Sequence, residues 1–219
     1  MLSPHNKSTI ISSHNLFLAL ILLCSLQSAA AYAEIDKNIR QEPISPIPLV
    51  SEVDSKKADL GERLFFDLRL SSNSELACSS CHQLDTGGDD NIASQHMINT
   101  PTIFNVKFNF RQNWDGSVKT LGQQIDLAVT NNNVFKNSWD DIVATLSQDH
   151  ELKNDFLEIY LDGITRENII DVLVEFEKTL ITPNSRFDRF LRNENDALTA
   201  EEIGGYEAFK ALGCISCHQ

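Results

Sequence analysis

Two five-residue stretches carry the chemistry of this 219-residue chain: Cys78-Ser79-Ser80-Cys81-His82 and Cys214-Ile215-Ser216-Cys217-His218. In each, two thiols stand about one helical turn apart and an imidazole follows directly. That spacing suits c-type haem attachment. Thiols so placed form thioethers to the two vinyl groups of one porphyrin, and the next residue carries its imidazole under the ring to ligate the iron. Three other uses of such cysteines compete. A redox-active Cys-x-x-Cys pair needs no following histidine and normally sits in a βαβ setting, which this sequence lacks. A structural zinc site gathers four ligands, and the long separation between these pairs is wrong for a ribbon or a finger. Disulfides are allowed by the count but explain neither histidine. The two motifs are therefore read as two covalent c-type haem sites, with His82 and His218 as iron ligands.

The chain has five cysteines, and the fifth, Cys24, lies in a different kind of segment. Lys7, an apolar run from Leu16 to Leu23 and the exit Ala31-Tyr32-Ala33 before Glu34 are the three parts of a secretory signal peptide. The apolar run is shorter than the ~20 residues a spanning helix needs. A buried N-terminal helix is the alternative, but nothing polar is patterned along the run. Leu23 is bulky where a lipoprotein site before Cys24 needs a small residue. Residues 1–33 are thus expected to be removed, leaving a periplasmic chain from Glu34 whose four cysteines all lie in the two motifs. Hydrophobic residues at 42% and charged residues at 22% fit a globular protein with a core and exclude collagen-like, disordered or multi-span membrane classes. With 18 Lys+Arg against 31 Asp+Glu the formal charge is −13, which argues against a phosphate-binding nucleic-acid partner.

The elements that must position the motifs read as mostly α. Pro43, Pro46 and Pro48 mark an extended lead-in, and Asp54 or Ser55 caps a helix with Leu60, Leu64 and Phe65 on one side. Ser71 to Glu75, Gly87-Gly88-Asp89-Asp90 and Asn99-Thr100-Pro101-Thr102 read as loops around the first motif. Ser138 with Asp141 opens a helix carrying Ile142, Val143 and Leu146, and Glu151 to Tyr160 forms the next. His150 falls between these two and is expected to be solvated. Thr165 caps a helix with Ile169, Ile170, Leu173, Phe176 and Leu180 at helical spacing. Phe187 to Leu191 is a short helix, and Thr199 caps a last one that ends at Gly213. No alternating strand pattern of useful length is present.

With these residues in hand, the chain resembles the bacterial di-haem cytochrome c peroxidases and their relatives, from about Leu60 to Gln219. Gly61-Glu62-Arg63-Leu64-Phe65-Phe66-Asp67 and Arg69-Leu70-Ser71 are similar to the approach to the first haem. Gly87-Gly88, Asn99-Thr100-Pro101-Thr102, Asn105 and Trp114-Asp115-Gly116 are similar to the inter-haem region, and Thr179 to Leu191 to the crossing between haem domains. The resemblance implies cytochrome c-like haem domains with long loops: 34–183 for an N-terminal, peroxidatic haem domain and 184–219 for the start of a C-terminal, electron-transfer haem domain. It implies reduction of hydrogen peroxide to water with electrons from a small soluble donor, a cytochrome c or a copper protein, and it allows a homodimer. Trp114 matches the aromatic residue between the haems, Asn99 a position at an inter-domain calcium site, and His96 a histidine that caps the peroxidatic iron at rest. Met97 beside it is the other candidate ligand. For each of these a plain structural role is the competing reading: a core aromatic, a turn residue, a surface histidine.

Two departures qualify the resemblance. Val134 stands where the family carries a distal glutamate, and valine cannot move a proton between peroxide oxygens. Asp126, or a carboxylate from elsewhere in the chain, is the available stand-in, and Ser117 replaces an arginine. The sequence also stops at Gln219, one residue past His218, where the family continues; the expectation is that the second haem domain is represented only in part. A non-catalytic di-haem electron carrier, or a relative oxidising another substrate through high-valent haem, are the alternatives.

Overall fold

The computed structural model describes residues 39–90 and 99–218. The leader assigned to residues 1–33, with Cys24, lies outside them. Two compact units emerge, one spanning Ile47–Pro183 and one in which residues up to Pro46 join Asn184–Gln219.

In the larger unit, α1 (Ser55–Phe65) begins where the Asp54 carboxylate accepts the Lys57 N–H, and it buries Ala58, Leu60, Gly61, Leu64 and Phe65. Its partner is α6 (Arg166–Thr179), capped by Thr165, with Ile169, Val172, Leu173 and Phe176 buried. The two helices cross closely because Gly61 has no side chain: a Cβ there would lie 1.9 Å from the Val172 carbonyl oxygen and 2.9 Å from Phe176 Cβ. Phe65 and Phe176 meet with ring centroids 5.1 Å apart. Between them in sequence come α2 (Cys78–Cys81), α3 (Leu121–Thr130), α4 (Trp139–Leu146) and α5 (His150–Ile159). Ile125, Val129, Ile142, Leu146, Leu152 and Phe156 from these helices complete one core with α1 and α6. Each such side chain stabilises by about 1.5–3 kcal/mol when fully buried.

The caps at Asp54, Ser138, Thr165 and Thr199 fall where the sequence puts them. His150 does not link two helices; it is the first residue of α5, which Asp149 caps by accepting from the Glu151 and Leu152 amides. Helix α3, capped by Thr120, is not legible in the sequence, where Gly122 and the β-branched Ile125, Val129 and Thr130 lower helix propensity. Packing of Ile125 and Val129 into the core overrides that preference. Among the described residues there is no strand, only isolated bridges at Gln83–Asp89 and Gln112–Val118.

The smaller unit holds α7 (Arg186–Leu191) and α8 (Ala200–Ala211), each opened by its own capping box, Ser185–Asp188 and Thr199–Glu202, and joined by the Arg186–Glu202 ion pair. Its core is Phe190, Leu191, Ala197 and Tyr206. The lead-in is held here: the Arg40 amide donates to the Leu191 carbonyl at 2.8 Å, and Glu42 accepts from Lys210 at 2.9 Å and the Tyr206 hydroxyl at 3.2 Å. Helix α8 stops at Ala211, two residues before the expected Gly213. No helix among the described residues is long and apolar enough to cross a membrane.

Candidate functional site

The first motif is a single helical turn. The Ala77 amide donates to Ser80 Oγ at 3.0 Å, the Ser80 amide to the Ala77 carbonyl at 3.0 Å, and the His82 amide closes the turn on the Cys78 carbonyl at 2.9 Å. Cys78 and Cys81 are free thiols on this turn. Cys78 packs against the main core, and burial pushes its thiol up to about 12, with the nearby Glu177 adding to the effect. A thiol so held is a poor thiolate nucleophile, which disfavours a redox Cys-x-x-Cys role.

His82 is fixed by the loop that follows it. Its Nδ1 lies 3.1 Å from the Gly88 carbonyl oxygen. A carbonyl only accepts, so Nδ1 carries the proton, and a neutral ring then offers Nε2 as its basic nitrogen. Burial lowers the imidazole pKa, against opposing pulls from the Gly88 and Pro101 carbonyls and from Asp90 and Asp89, which favours that neutral ring. Gly88 is required here. It has φ +74° and a Cβ would meet Phe104 Cδ2 and Thr102 Oγ1 at 3.0 Å. Its amide donates to the Gln83 carbonyl at 2.8 Å, and its carbonyl also receives the Ile103 amide at 3.3 Å. A second strap comes from Asn105, at φ +61°, whose side chain brackets Thr182 with bonds of 2.7 and 2.8 Å.

Asn99 and Trp114 come together on the same loop cluster. The Trp114 indole N–H donates to the Asn99 carbonyl at 3.0 Å, and Asn99 Nδ2 donates to Asp89 Oδ2 at 3.1 Å. Trp114 is 66% exposed, so it is no core aromatic of this unit. Asp89 Oδ1 and Asn99 Oδ1 are buried and have no hydrogen-bond partner among the described residues. Two such oxygens, one of them anionic, are the hard donors a calcium ion takes. His96 and Met97 lie outside the described residues.

The second motif repeats the local geometry in a different setting. Gly213, at φ +80°, opens a 3₁₀ turn over Cys214–Ser216, and the His218 amide closes on the Cys214 carbonyl at 3.1 Å. Cys214 is half-buried, whereas Cys217 and His218 are exposed, and His218 meets Phe209 at 6.3 Å between ring centroids.

The carboxylate supply is also visible. Asp126 is engaged, accepting the Trp139 indole N–H at 2.7 Å and pairing with Arg166 at 2.8 Å. Val134 sits half-exposed in the loop after α3, offering no proton donor. Glu177 is buried at 8% exposure, and burial pushes its carboxyl up to about 8. Sequence reasoning missed Gly88 and Asp89 as partners of His82 and Asn99, because a Gly-Gly-Asp-Asp run reads only as a turn. It also missed Glu177, although that residue falls four beyond Leu173 on the apolar stripe.

The residues present fit a c-type haem at each motif: paired free thiols on one turn, and at the first an imidazole whose far nitrogen is set as donor. No group of three or more His, Cys, Asp or Glu side chains gathers among the described residues.

Comparison with known proteins points the same way. The family model described as "Di-haem cytochrome c peroxidase" matches residues 55–196. The cytochrome c peroxidase Ccp of Escherichia coli K12 is 43% identical over 202 residues, 88% of this chain and 43% of its own length. The cytochrome c551 peroxidase of Nitrosomonas europaea is 34% identical over 206 residues, 90% of this chain and 62% of its own. This chain thus spans about half the length of the curated relatives it matches. A solved MauG-like protein associated with microbial copper homeostasis shares the fold, with TM-score 0.63 at 24% identity, covering 76% of this chain and 52% of that one.

Proposed function

The chain belongs to the di-haem cytochrome c peroxidase family, whose cofactors are two c-type haems, and on that premise we propose that it takes part in reducing hydrogen peroxide to water with electrons from a small soluble donor. The observation that carries this reading is His82: its Nδ1 proton is spent on the Gly88 carbonyl directly behind a one-turn Cys78–Cys81 helix. Cys78 and Cys81 would hold the peroxidatic haem with His82 on its iron. Cys214, Cys217 and His218 would hold the electron-receiving one. When bound, the iron supplies the one-electron steps that peroxide reduction needs, two electrons and two protons giving two waters.

The remaining roles follow in the same reading. Trp114, exposed and anchored at its N–H, is suited to pass electrons. Asn99, joined by Asp89, would bind calcium. His96 would cap the first iron at rest. Residues 1–33 would direct export to the periplasm, 34–183 and 184–219 would serve the two haems, and the net charge of −13 suits a basic cytochrome c or copper-protein donor. A homodimer is compatible with this arrangement. The test is peroxide turnover by the intact, pre-reduced protein with a reduced cytochrome c as donor. Turnover that falls with added salt supports both the activity and charge steering; no turnover sinks the peroxidase reading. His96→Ala should convert a low-spin first haem to high-spin, and an unchanged spectrum removes His96 from the site.

A second reading, a di-haem electron carrier without peroxidase activity, is favoured by Val134, where the resemblance expects a distal glutamate, and by Asp126, already held by Trp139 and Arg166. Fast electron exchange with the donor and no peroxide consumption would select it.

A further inference from the structure

Helix α6 carries four acids, and three of them are paired. Glu167 meets Arg166 at 3.1 Å. Asp171 accepts from Lys57 and from the Tyr160 hydroxyl, each at 2.7 Å. Glu175 pairs with Lys178 at 2.5 Å and accepts the Asp54 amide at 3.0 Å. The Glu177 carboxylate has no hydrogen-bond or ion-pair partner among the described residues, yet it is the acid of this helix that counts among the buried residues of the chain. It stands on the stripe of Leu173 and next to Phe176, where folding alone would be better served by an apolar side chain. The close α1–α6 crossing at Gly61 fixes the helix that carries it.

Cys78 is the ionisable group whose charge interacts with Glu177, and Cys78 packs on the same core. No other ionisable side chain among the described residues acts on the Glu177 carboxyl, whose state is governed by burial. Asp89 and Asp90 act instead on His82. A buried, unpartnered acid beside a cofactor attachment point is costly to the fold, and such groups concentrate where charge changes during function.

Resting on the assignment of a haem to Cys78, Cys81 and His82, we propose that Glu177 is a positioning residue that couples electron arrival at the first haem site to uptake of one proton. One electron added by the donor brings one negative charge into the site. The Glu177 carboxylate binds one proton from water in balance, and loss of the electron releases that proton. The carboxyl, held up to about 8 by burial, responds to such a change around that pH.

The test is a redox titration of the first haem in the full, haem-loaded chain, comparing the native residue with Glu177→Gln and Glu177→Met. The native protein should show a midpoint that falls between about pH 7 and 9, by at most a tenfold change in the reduction equilibrium per pH unit, ~59 mV for one electron. Both variants should lose most of that slope. Haem propionates titrate in all three proteins and cancel in the comparison, and Cys78 as a thioether does not titrate. Equal slopes in all three overturn the proposal while leaving the haem assignment intact. A first-motif peptide without haem, seen by mass spectrometry, overturns the assignment and the proposal with it. An independent readout is the urea stability of the haem-free chain. The native carboxyl is protonated when folded and ionised when unfolded above about pH 4.5, so its stability should decline relative to both variants as pH rises towards 8. Parallel pH profiles in native and variant chains would also overturn it.

Discussion

At Cys78–His82 the histidine amide closes on the first cysteine's carbonyl at 2.9 Å, and at Cys214–His218 the same bond is 3.1 Å. Around the first, Ser80 caps the turn, Cys78 lies against the main core and a Gly88 carbonyl steers the imidazole. Around the second, a glycine opens the turn and the histidine is exposed beside one aromatic ring. The shared spacing is therefore enough to shape the local turn. Burial, ring orientation and charge come from residues that the motif does not contain.

The difference can be broken from the largest effect downward. The core beneath the first motif is extensive, so Phe156→Ala should cost about 3–5 kcal/mol, whereas Leu191→Ala in the four-residue core of the smaller unit should cost about 2. Urea unfolding followed by circular dichroism reads both; equal losses would erase the contrast. Next come the two left-handed glycines. Gly88→Ala combines strained φ with contacts at 3.0 Å, and about 3 kcal/mol is expected. Gly213→Ala meets nothing within 4 Å and should cost about 1. In haem-loaded protein, only the first of these should also disturb the spectrum of the first haem.

Ser80 and Ser216 occupy the same motif position. Ser80→Ala removes the bond from the Ala77 amide and should cost about 1 kcal/mol, while Ser216→Ala should stay within ~0.5 of the parent. A matching loss at Ser216 would mean that the second turn is capped too. The smallest effect is a pH response of the smaller unit. Arg186, with the Thr199 amide, holds the exposed Glu202 carboxyl down to about 2. Its depressed folded pKa means stability present above about pH 4.5 and lost as pH falls through 2, opposite in sign to that of Glu177. Glu202→Gln should flatten this acid-side loss in thermal melts.

These contrasts also mark what could be read from the chain. Helix caps at Asp54, Ser138, Thr165 and Thr199 are legible because a small polar side chain before an apolar stripe has one economical use. The motifs are legible for the same local reason. Helix α3 is not, since its formation depends on Ile125 and Val129 meeting residues distant in sequence. The carbonyl that orients His82 is equally hidden: a backbone acceptor has no letter, and only the αL turn at Gly88 brings it round. Asp126 reads in the sequence as a candidate proton carrier, whereas its bonds to Trp139 and Arg166 depend on tertiary structure and leave no local signal.

The proposal that both motifs hold haem covalently, despite their different surroundings, is the one to test first. Peptide mass spectrometry on the full chain, produced in a host that matures c-type cytochromes, tests it most directly. The peptides containing Cys78–His82 and Cys214–His218 should each carry one haem through two thioethers. Recovery of either peptide with free or disulfide-paired cysteines would contradict it.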